Sequence, residues 1–449
     1  MPSNVRPLTG KGKAYNRQGR VEIIGRVLTF FSAGYIILTM LCSVVPSSSH
    51  TSSSAAGPSY RSSRSRSKKC DPFSLPGWVQ WSIASSEFPS WRTFDASCTT
   101  SNLMSALIST LNIEDKDPNK IAPHQIHKLT SSLNVDELNT FFTNRTVLLI
   151  GDHKVDHAMV SHFCSLTGHH IETVDKEHPW GNSLNTVPPR HGFTPIDRNG
   201  PLAHYCYLPE YDFLLTSVYS YGADVAESWK GEGLYNAPSL FEDRVTDLYQ
   251  PYFKAMASSS ETSPALPKPR VRAEPDLIFF NSGLWDLARW ARQDIDTGVG
   301  LIENLSEERI FWWRARMVDM LTSIRKAWKK PRIVWRDTHF PLATEATTVE
   351  SFLGIEGQPR KNHPLYHANR IAQLNQAQRS VLEAHGEDVT KGERQRSSRL
   401  PSDVVGVPFA QILMGQDQST DHPLVPSQLP CGALFAEVML WNLRDALAR

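Results

Sequence analysis

The sequence has almost no net charge and few of the residues that mark specialised classes of protein. Its 449 residues include 47 lysines and arginines against 46 aspartates and glutamates, which gives a formal charge of +1. Dedicated nucleic-acid-binding proteins usually have a strong basic excess, so no nucleic-acid partner is expected. The six cysteines include no closely spaced pairs of the kind that bind zinc. The sequence therefore predicts neither a metal nor another cofactor.

Long hydrophobic runs are also scarce. Residues 27–45, VLTFFSAGYIILTMLCSVV, form one uncharged run of 19 residues, which is long enough to cross a bilayer as a helix. The 26 residues before it are basic, and positive charge stays on the cytoplasmic side of a membrane. The alternative is a cleaved signal peptide, whose apolar core usually spans about 7–15 residues. The longer core and the lack of a small-residue cleavage site favour an uncleaved anchor.

This anchor divides the chain into four regions. We predict a basic cytoplasmic tail at 1–26, a transmembrane signal anchor at 27–45, a disordered Ser-rich stalk at 46–69 and one lumenal domain at 70–449. The protein is then a single-pass type II membrane protein of the Golgi or of another secretory compartment. Such a topology excludes a cytosolic enzyme.

Sequons and cysteines agree with a lumenal domain. Asn144 and Asn304 lie in Asn-x-Ser/Thr glycosylation sequons. Cys42 lies in the apolar run, and five cysteines follow it in a compartment where disulfides form. Because five is odd, one cysteine is left over, and spacing alone does not assign the pairs. The five are Cys70, Cys98, Cys164, Cys206 and Cys431.

Short apolar strands alternate with longer helical patterns in the expected lumenal domain. Continuous apolar strands between helices are typical of a parallel sheet covered on both faces, so we predict a three-layer α/β fold. The strand candidates are 146–151, 213–218, 276–281 and 332–337, and the helix candidates are 284–293, 306–329, 363–385 and 432–447. In an open parallel sheet the ligand site lies beyond the carboxyl ends of the strands.

Polar residues follow each of the four strands. Asp286 is a candidate for substrate binding, but an aspartate near a helix start equally caps or pairs there. Arg336 is a candidate for contact with an acidic glycan, and pairing with a buried carboxylate is equally plausible. Along the chain, the candidate residues are Asp152, His153, Gly222, Asn281, Asp286, Arg336 and His339, followed by Asp417, Asp421 and His422 near the C-terminus.

These motifs, in this order, resemble the SGNH/GDSL hydrolase superfamily, and more closely the PC-esterase domain of trichome birefringence-like polysaccharide O-acetyltransferases and their fungal relatives. CDPFSLPGWVQW (70–81) is similar to the opening of that domain, and GDHKVDHAMVSHFC (151–164) to its Gly-Asp-Ser block. FFNSGLWDL (279–287) resembles its Asn-Thr-Gly-His-Trp block, VWRDTHFP (334–341) its Phe-Arg-Thr strand and HPLVP (422–426) its catalytic-histidine loop. The resemblance covers most of residues 70–449.

The resemblance implies acyl transfer through a Ser-His-Asp triad, from an acyl donor that the motifs do not identify to a glycan or polysaccharide acceptor. It implies that Gly222 and Asn281 are oxyanion-hole donors and that His422 is the general base. The family motifs also favour two disulfides, Cys70–Cys98 and Cys164–Cys206.

The acidic member of the triad departs from the family pattern. The family places it three residues before the catalytic histidine, where this sequence has Ser419. Asp421 or Asp417 would have to replace it as the partner of His422.

The larger departure is at the nucleophile, where the family's serine is His153 and its arginine three residues later is Asp156. One interpretation is that catalysis is lost while carbohydrate binding remains. A second is retained activity, through acylation of His153 or through a shifted nucleophile such as Ser161. A third is a metal site formed by His153, His157 and Asp152, since histidines four residues apart on a helix can face one ligand.

The sequence is therefore compatible with two functions. The first is a membrane-anchored, lumenal O-acyltransferase or esterase-like protein that acts on glycans. The second is a catalytically degenerate member of the same family that binds glycans or scaffolds a partner enzyme.

Overall fold

The structure is a computed structural model that describes part of the chain. The described residues are 70–82, 88–100, 102–111, 135–182, 201–226, 228–229, 237–258, 274–341, 366–391, 400–401, 403–416 and 424–448. The predicted tail, anchor and stalk lie outside these ranges, as do Asp417, Ser419, Asp421 and His422. Within the described ranges, no helix combines the length and the apolar character that a membrane crossing requires.

A seven-stranded sheet lies at the centre of the structure and follows a separate antiparallel pair of strands. The antiparallel pair is β1 (Gly77–Gln80) and β2 (Ser90–Thr93). The strands of the central sheet lie in the order β4-β5-β6-β3-β7-β8-β9. They are β3 (Thr146–Gly151), β4 (Glu172–Val174), β5 (Ala203–Leu208), β6 (Phe213–Tyr219), β7 (Leu277–Phe280), β8 (Arg332–Arg336) and β9 (Val404–Val407).

The central sheet is mostly parallel, which confirms the predicted α/β class but corrects the expectation of a purely parallel sheet. Strands β6, β3, β7, β8 and β9 run parallel to one another. β5 runs antiparallel to both of its neighbours, β4 and β6. The cause is local: residues 209–212 alone separate β5 from β6, and a parallel crossover needs about a dozen residues or more.

Helices cover both faces of the sheet. Alternate residues of β3 point to opposite sides, so Leu148 and Ile150 enter one apolar core and Val147 and Leu149 the other. The helices are α1 (Leu103–Thr110), α2 (Val135–Phe142), α3 (His153–Leu166), α4 (Pro179–Asn182), α5 (Phe241–Arg244), α6 (Gln250–Ser258), α7 (Leu284–Thr297), α8 (Glu307–Ala327), α9 (Ala368–Lys391), α10 (Phe409–Ile412) and α11 (Ala433–Leu447). α1, α2, α3 and α11 pack mainly on the second of these cores, and α6 to α9 on the first. The predicted three layers are confirmed.

Two disulfides are present, and they are the pairs that the family motifs favour. Cys70 is bonded to Cys98, with a Cα–Cα distance of 5.7 Å. Cys164 at the end of α3 is bonded to Cys206 in β5, with a Cα–Cα distance of 5.5 Å. The second bond joins α3 to the antiparallel part of the sheet.

A buried glutamate of α11 caps the start of α1. Glu437 accepts hydrogen bonds from the backbone N–H groups of Leu103 at 2.8 Å and Met104 at 2.7 Å. We expect Glu437→Ala to lower the free energy of unfolding by about 2–3 kcal/mol, because two buried N–H groups lose their acceptor. Urea denaturation measures this change, with Glu383→Ala on the exposed side of α9 as the control. Equal midpoints for the two variants would exclude the capping role.

Candidate functional site

The carboxyl ends of β6, β3, β7 and β8 lie side by side, and several predicted site residues meet there. We call Asp152, Asp156, Asn281, Asp286 and Arg336 the sheet-edge cluster. All five residues are buried, with only 1–4% of their surface exposed. Four of these five residues were singled out from the sequence as site candidates, and the fold brings them together as the strand order requires.

The turn from β3 into α3 requires a glycine because the cluster packs against it. Asp152 is the N-terminal cap of α3, and its backbone is extended. A Cβ on Gly151 would lie 2.5 Å from Oδ2 of Asp156 and 3.2 Å from the carbonyl oxygen of Asn281. Such contacts are too close for any residue larger than glycine. The Gly-Asp dipeptide therefore allows the cluster to approach the backbone at this turn.

Asp156 and Arg336 form a buried ion pair at the centre of the cluster. Nη2 of Arg336 lies 2.5 Å from Oδ1 of Asp156. Burial raises the pKa of Asp156, and the charge of Arg336 opposes that rise. The guanidinium also lies over the rings of Phe409 and Phe435, at 5.5 and 5.3 Å from their centroids. Pairing with a buried carboxylate, the alternative considered for Arg336, is thus confirmed.

Asp152 is a buried carboxyl group beside other carboxylates. Burial, together with the charges of Asp156 and Asp286, raises its pKa to about 8, although Arg336 opposes the shift. The backbone N–H of Leu284 donates to this carboxyl group, while no described residue hydrogen-bonds to its Oδ2. Asp152 is therefore mostly protonated at neutral pH and can donate a proton.

Asp286 and Gly222 meet at the turn that follows β6. In the first turn of α7, the Asp286 carboxylate accepts hydrogen bonds from the N–H of Ala223 and from the Ser282 hydroxyl, each at 3.0 Å, and from Nε1 of Trp313 at 3.1 Å. Gly222 has a φ of +71°, and a Cβ there would lie 2.8 Å from the same carboxylate. Asp286 therefore stabilises this turn by accepting its hydrogen bonds. Such a pairing role near the start of a helix is the alternative to substrate binding that the sequence offered for this residue.

Asn281 joins β7 to β8. Its Nδ2 donates to the carbonyl oxygen of Arg336 at 2.8 Å and lies 3.5 Å from the hydroxyl of Thr338. The amide that the resemblance assigns to an oxyanion hole is thus bonded to the backbone of the neighbouring strand. Its role toward a substrate stays a prediction.

His153, the first residue of α3, lies among other aromatic rings. Its centroid is 6.1 Å from that of His157, 5.8 Å from that of His204 and 4.8 Å from that of Tyr219. His157 and His204 are closer still, at 4.1 Å. We call His153, His157 and His204 the histidine cluster.

Burial lowers the pKa of all three residues in the histidine cluster and so favours their uncharged forms. Burial, together with the charges of His157, Lys154 and Arg244, lowers the pKa of His153 to about 4. Burial and the two neighbouring histidines lower the pKa of His204 to about 3. No described residue hydrogen-bonds to Nδ1 of His153. Neutral imidazoles with such low pKa values are weak bases.

The metal hypothesis finds no support in the described part of the chain, where no three His, Cys, Asp or Glu side chains are arranged to hold an ion. Ser161, the alternative nucleophile, lies eight residues after His153 on α3, which corresponds to about 12 Å along the helix axis. A hydroxyl there cannot replace one at His153 without a large displacement of the helix.

His339 links the end of β8 to the segment that follows the predicted catalytic histidine. Its Nε2 bonds to the carbonyl oxygen of Leu424 at 2.8 Å, and burial lowers its pKa to about 4. Leu424 is two residues after His422 in the sequence. His422, Asp421 and Asp417 themselves lie outside the described residues, and their catalytic roles stay predictions.

His204 was missed by sequence reasoning. It lies in β5, within AHYCYL, which has no motif and no turn residue beside it to mark a site. Its place beside α3 results from the antiparallel pairing of β5 with β6. The predicted pairing of Cys164 with Cys206 was the one feature of the sequence that placed β5 beside α3.

Comparison with known proteins adds little to this picture. No protein-family profile matches the chain. No curated protein sequence matches it either. Among solved structures, a candidate GDSL-like lipase from Parabacteroides merdae aligns with 68% of this chain and 98% of its own, at 9% identity and a TM-score of 0.30. A TM-score of this size does not establish a common fold, so the family assignment stays a prediction.

Proposed function

We propose that this protein is a membrane-anchored, lumenal, SGNH-like protein that binds glycans and has lost the serine mechanism of acyl transfer. His153 at the nucleophile position carries the proposal. A serine triad needs a hydroxyl that a nearby base activates. The half-buried imidazole of His153, which lies beside two further imidazoles, provides no such hydroxyl.

The bonding of the sheet-edge cluster also favours a loss of catalysis. An oxyanion hole needs donors that are directed at the position where negative charge develops on the substrate. Here the Asn281 amide bonds to the backbone of β8, and Arg336 bonds to Asp156. Polar groups that satisfy one another inside the protein stabilise the fold but offer little to a reacting acyl group.

Three observations support the lumenal, anchored part of the proposal. The apolar run at 27–45 is long enough for an anchor. Two disulfides fit an oxidising compartment. Asn144 and Asn304, the sequon asparagines, are both exposed, as attachment of a glycan requires.

A second candidate function is acyl transfer through His153 itself. One observation favours it: the imidazole is neutral at physiological pH, and its Nδ1 has no hydrogen-bond partner in the described part of the chain. A neutral imidazole nitrogen can attack the carbonyl carbon of an ester: the C–O bond breaks, and the alcohol leaves with the proton that the other ring nitrogen gives up. The acyl-imidazole formed would then pass its acyl group to water or to a sugar hydroxyl.

Hydrolysis of p-nitrophenyl acetate separates these candidates. We expect the full-length protein in detergent to release p-nitrophenol no faster than the same protein after heat unfolding. Release that is lost in His153→Ala but kept in His157→Ala would establish the second candidate. Release that is lost in His422→Ala would show that a triad operates and would overturn the proposal.

A further inference from the structure

Two aromatic side chains lie exposed on the small sheet formed by β1 and β2. Trp78 in β1 is 49% exposed, and Phe94, directly after β2, is 72% exposed. Their ring centroids are 5.3 Å apart, and the ring planes are inclined by 29°. Adjacent exposed aromatic rings that stay out of the core are characteristic of binding surfaces.

The backbone beneath these rings is held by several bonds. The Cys70–Cys98 disulfide encloses both strands. The N–H of Phe94 donates to the carbonyl oxygen of Pro76 at 3.1 Å, and Nε1 of Trp91 donates to that of Pro72 at 3.0 Å. The hydroxyl of Thr93 also donates to the carbonyl oxygen of Cys98 at 2.6 Å. A ligand would therefore meet rings that are already in place, which lowers the entropic cost of binding.

Polar side chains lie on the same face as the rings. Trp78 and Gln80 are two residues apart in β1 and so share a face, and Arg92 is the cross-strand partner of Trp78. Nε of Arg92 donates to Oε1 of Gln80 at 2.7 Å. A guanidinium has five N–H donors, so Arg92 can bond to hydroxyl groups of a ligand as well.

Within the described residues, this surface is too small for a stable interface with a protein. Two aromatic side chains bury about 150–250 Å² each when fully covered. A stable protein–protein interface needs about 800 Å² from each partner. Among the residues that the structure describes on this face, Arg92 is the cation beside the two rings, and a single cation is too little charge for a nucleic acid or for an anionic membrane, which attract clusters of basic residues. Flat rings flanked by hydrogen-bonding groups suit instead a sugar, whose C–H faces are apolar and whose edges carry hydroxyls.

We infer that Trp78, Phe94, Arg92 and Gln80 form a glycan-binding surface, in which a sugar ring packs on an outer face of the two stacked rings. We call these four residues the aromatic surface. It lies outside the central sheet, so it is distinct from the sheet-edge and histidine clusters. The inference rests on the glycan ligand of the proposed function and is independent of whether catalysis is lost.

Binding of defined oligosaccharides to the full-length protein in detergent tests this inference. The probes are xylohexaose, cellohexaose and chitohexaose, measured by titration calorimetry. We expect at least one of them to bind, and both Trp78→Ala and Phe94→Ala to weaken that binding at least tenfold. Trp78→Phe should restore most of the affinity, because it returns an aromatic face. Phe311→Ala, which removes a 61% exposed aromatic side chain from α8, should leave the affinity unchanged.

The outcomes separate this inference from the proposed function. Unchanged binding in the Trp78→Ala/Phe94→Ala double variant would overturn the inference and leave the glycan-binding function standing. No binding of any probe to the wild-type protein would overturn both. The near-ultraviolet circular dichroism of each variant reports whether its fold is retained. Trp78→Leu and Phe94→Leu, which keep apolar bulk but remove the aromatic ring, serve as the test variants if an alanine variant does not fold.

Discussion

Replacement of Asp156 by alanine is expected to lower the free energy of unfolding by about 3–5 kcal/mol, because it leaves a buried guanidinium without its counter-charge. Arg336 is 3% exposed, and the partner it would lose lies 2.5 Å away. The contacts with Phe409 and Phe435 do not supply a negative charge. Urea denaturation of the variant at neutral pH measures this loss.

Two controls assign the effect to a buried charge. Asp319→Ala breaks the more exposed pair with Arg316 and should cost less than about 1 kcal/mol. The double variant Asp156→Val/Arg336→Met removes both charges, and we expect it to regain most of the stability that Asp156→Ala loses. A double variant that is less stable than Asp156→Ala would mean that Arg336 contributes more through its other contacts than through this pair.

Replacement of Asp152 by asparagine should change the pH dependence of stability. Burial raises the pKa of Asp152 in the folded state to about 8, from the 3.8 that is usual for an aspartate. The folded protein therefore binds a proton that the unfolded chain releases. This contribution to stability is complete below pH 3.8 and is lost as the pH rises through 8. Asparagine has the shape of the neutral acid and never ionises, so it does not suffer this loss.

The expected size of the effect is large. Relative to the wild-type protein, Asp152→Asn should gain about 4 kcal/mol of stability between pH 5 and pH 9. Urea denaturation at pH 5, 7 and 9 measures the gain, and Glu383→Gln, at an exposed position, should show no such trend. A constant difference between Asp152→Asn and the wild-type protein across this range would show that Asp152 ionises normally in the folded state.

The sequence predicted the strands that are buried on both faces. The observed bounds of β3, β6, β7 and β8 lie within one residue of the predicted ones. An uninterrupted apolar run of this length between two helices is typical of a buried strand, so these four were recognisable from the sequence. β4 and β9 were missed, since strands of three and four residues carry too little pattern to recognise. β5 was missed because polar and apolar residues are mixed in it, and the antiparallel part of the sheet was missed for the same reason.

Some features of the candidate site could likewise be predicted from the sequence, and others could not. Strand ends located Asp152, Gly222, Asn281 and Arg336, because the carboxyl edge of a parallel sheet follows from topology alone. The pairing of Arg336 with Asp156 joins residues 180 positions apart, and no local pattern encodes such a contact. The histidine cluster likewise depends on where β5 packs against α3. The sequence therefore predicted which strand ends lie together at the candidate site, whereas the hydrogen bonds and ion pairs of its side chains depend on long-range contacts.

Labelling with a fluorophosphonate probe decides whether the protein has an activated serine. The probe reacts with serines that a general base activates, and intact-mass spectrometry of the full-length protein counts the adducts. Loss of the serine mechanism predicts an unchanged mass after exposure to the probe. One adduct per chain, located on a serine and absent in His422→Ala, would contradict it.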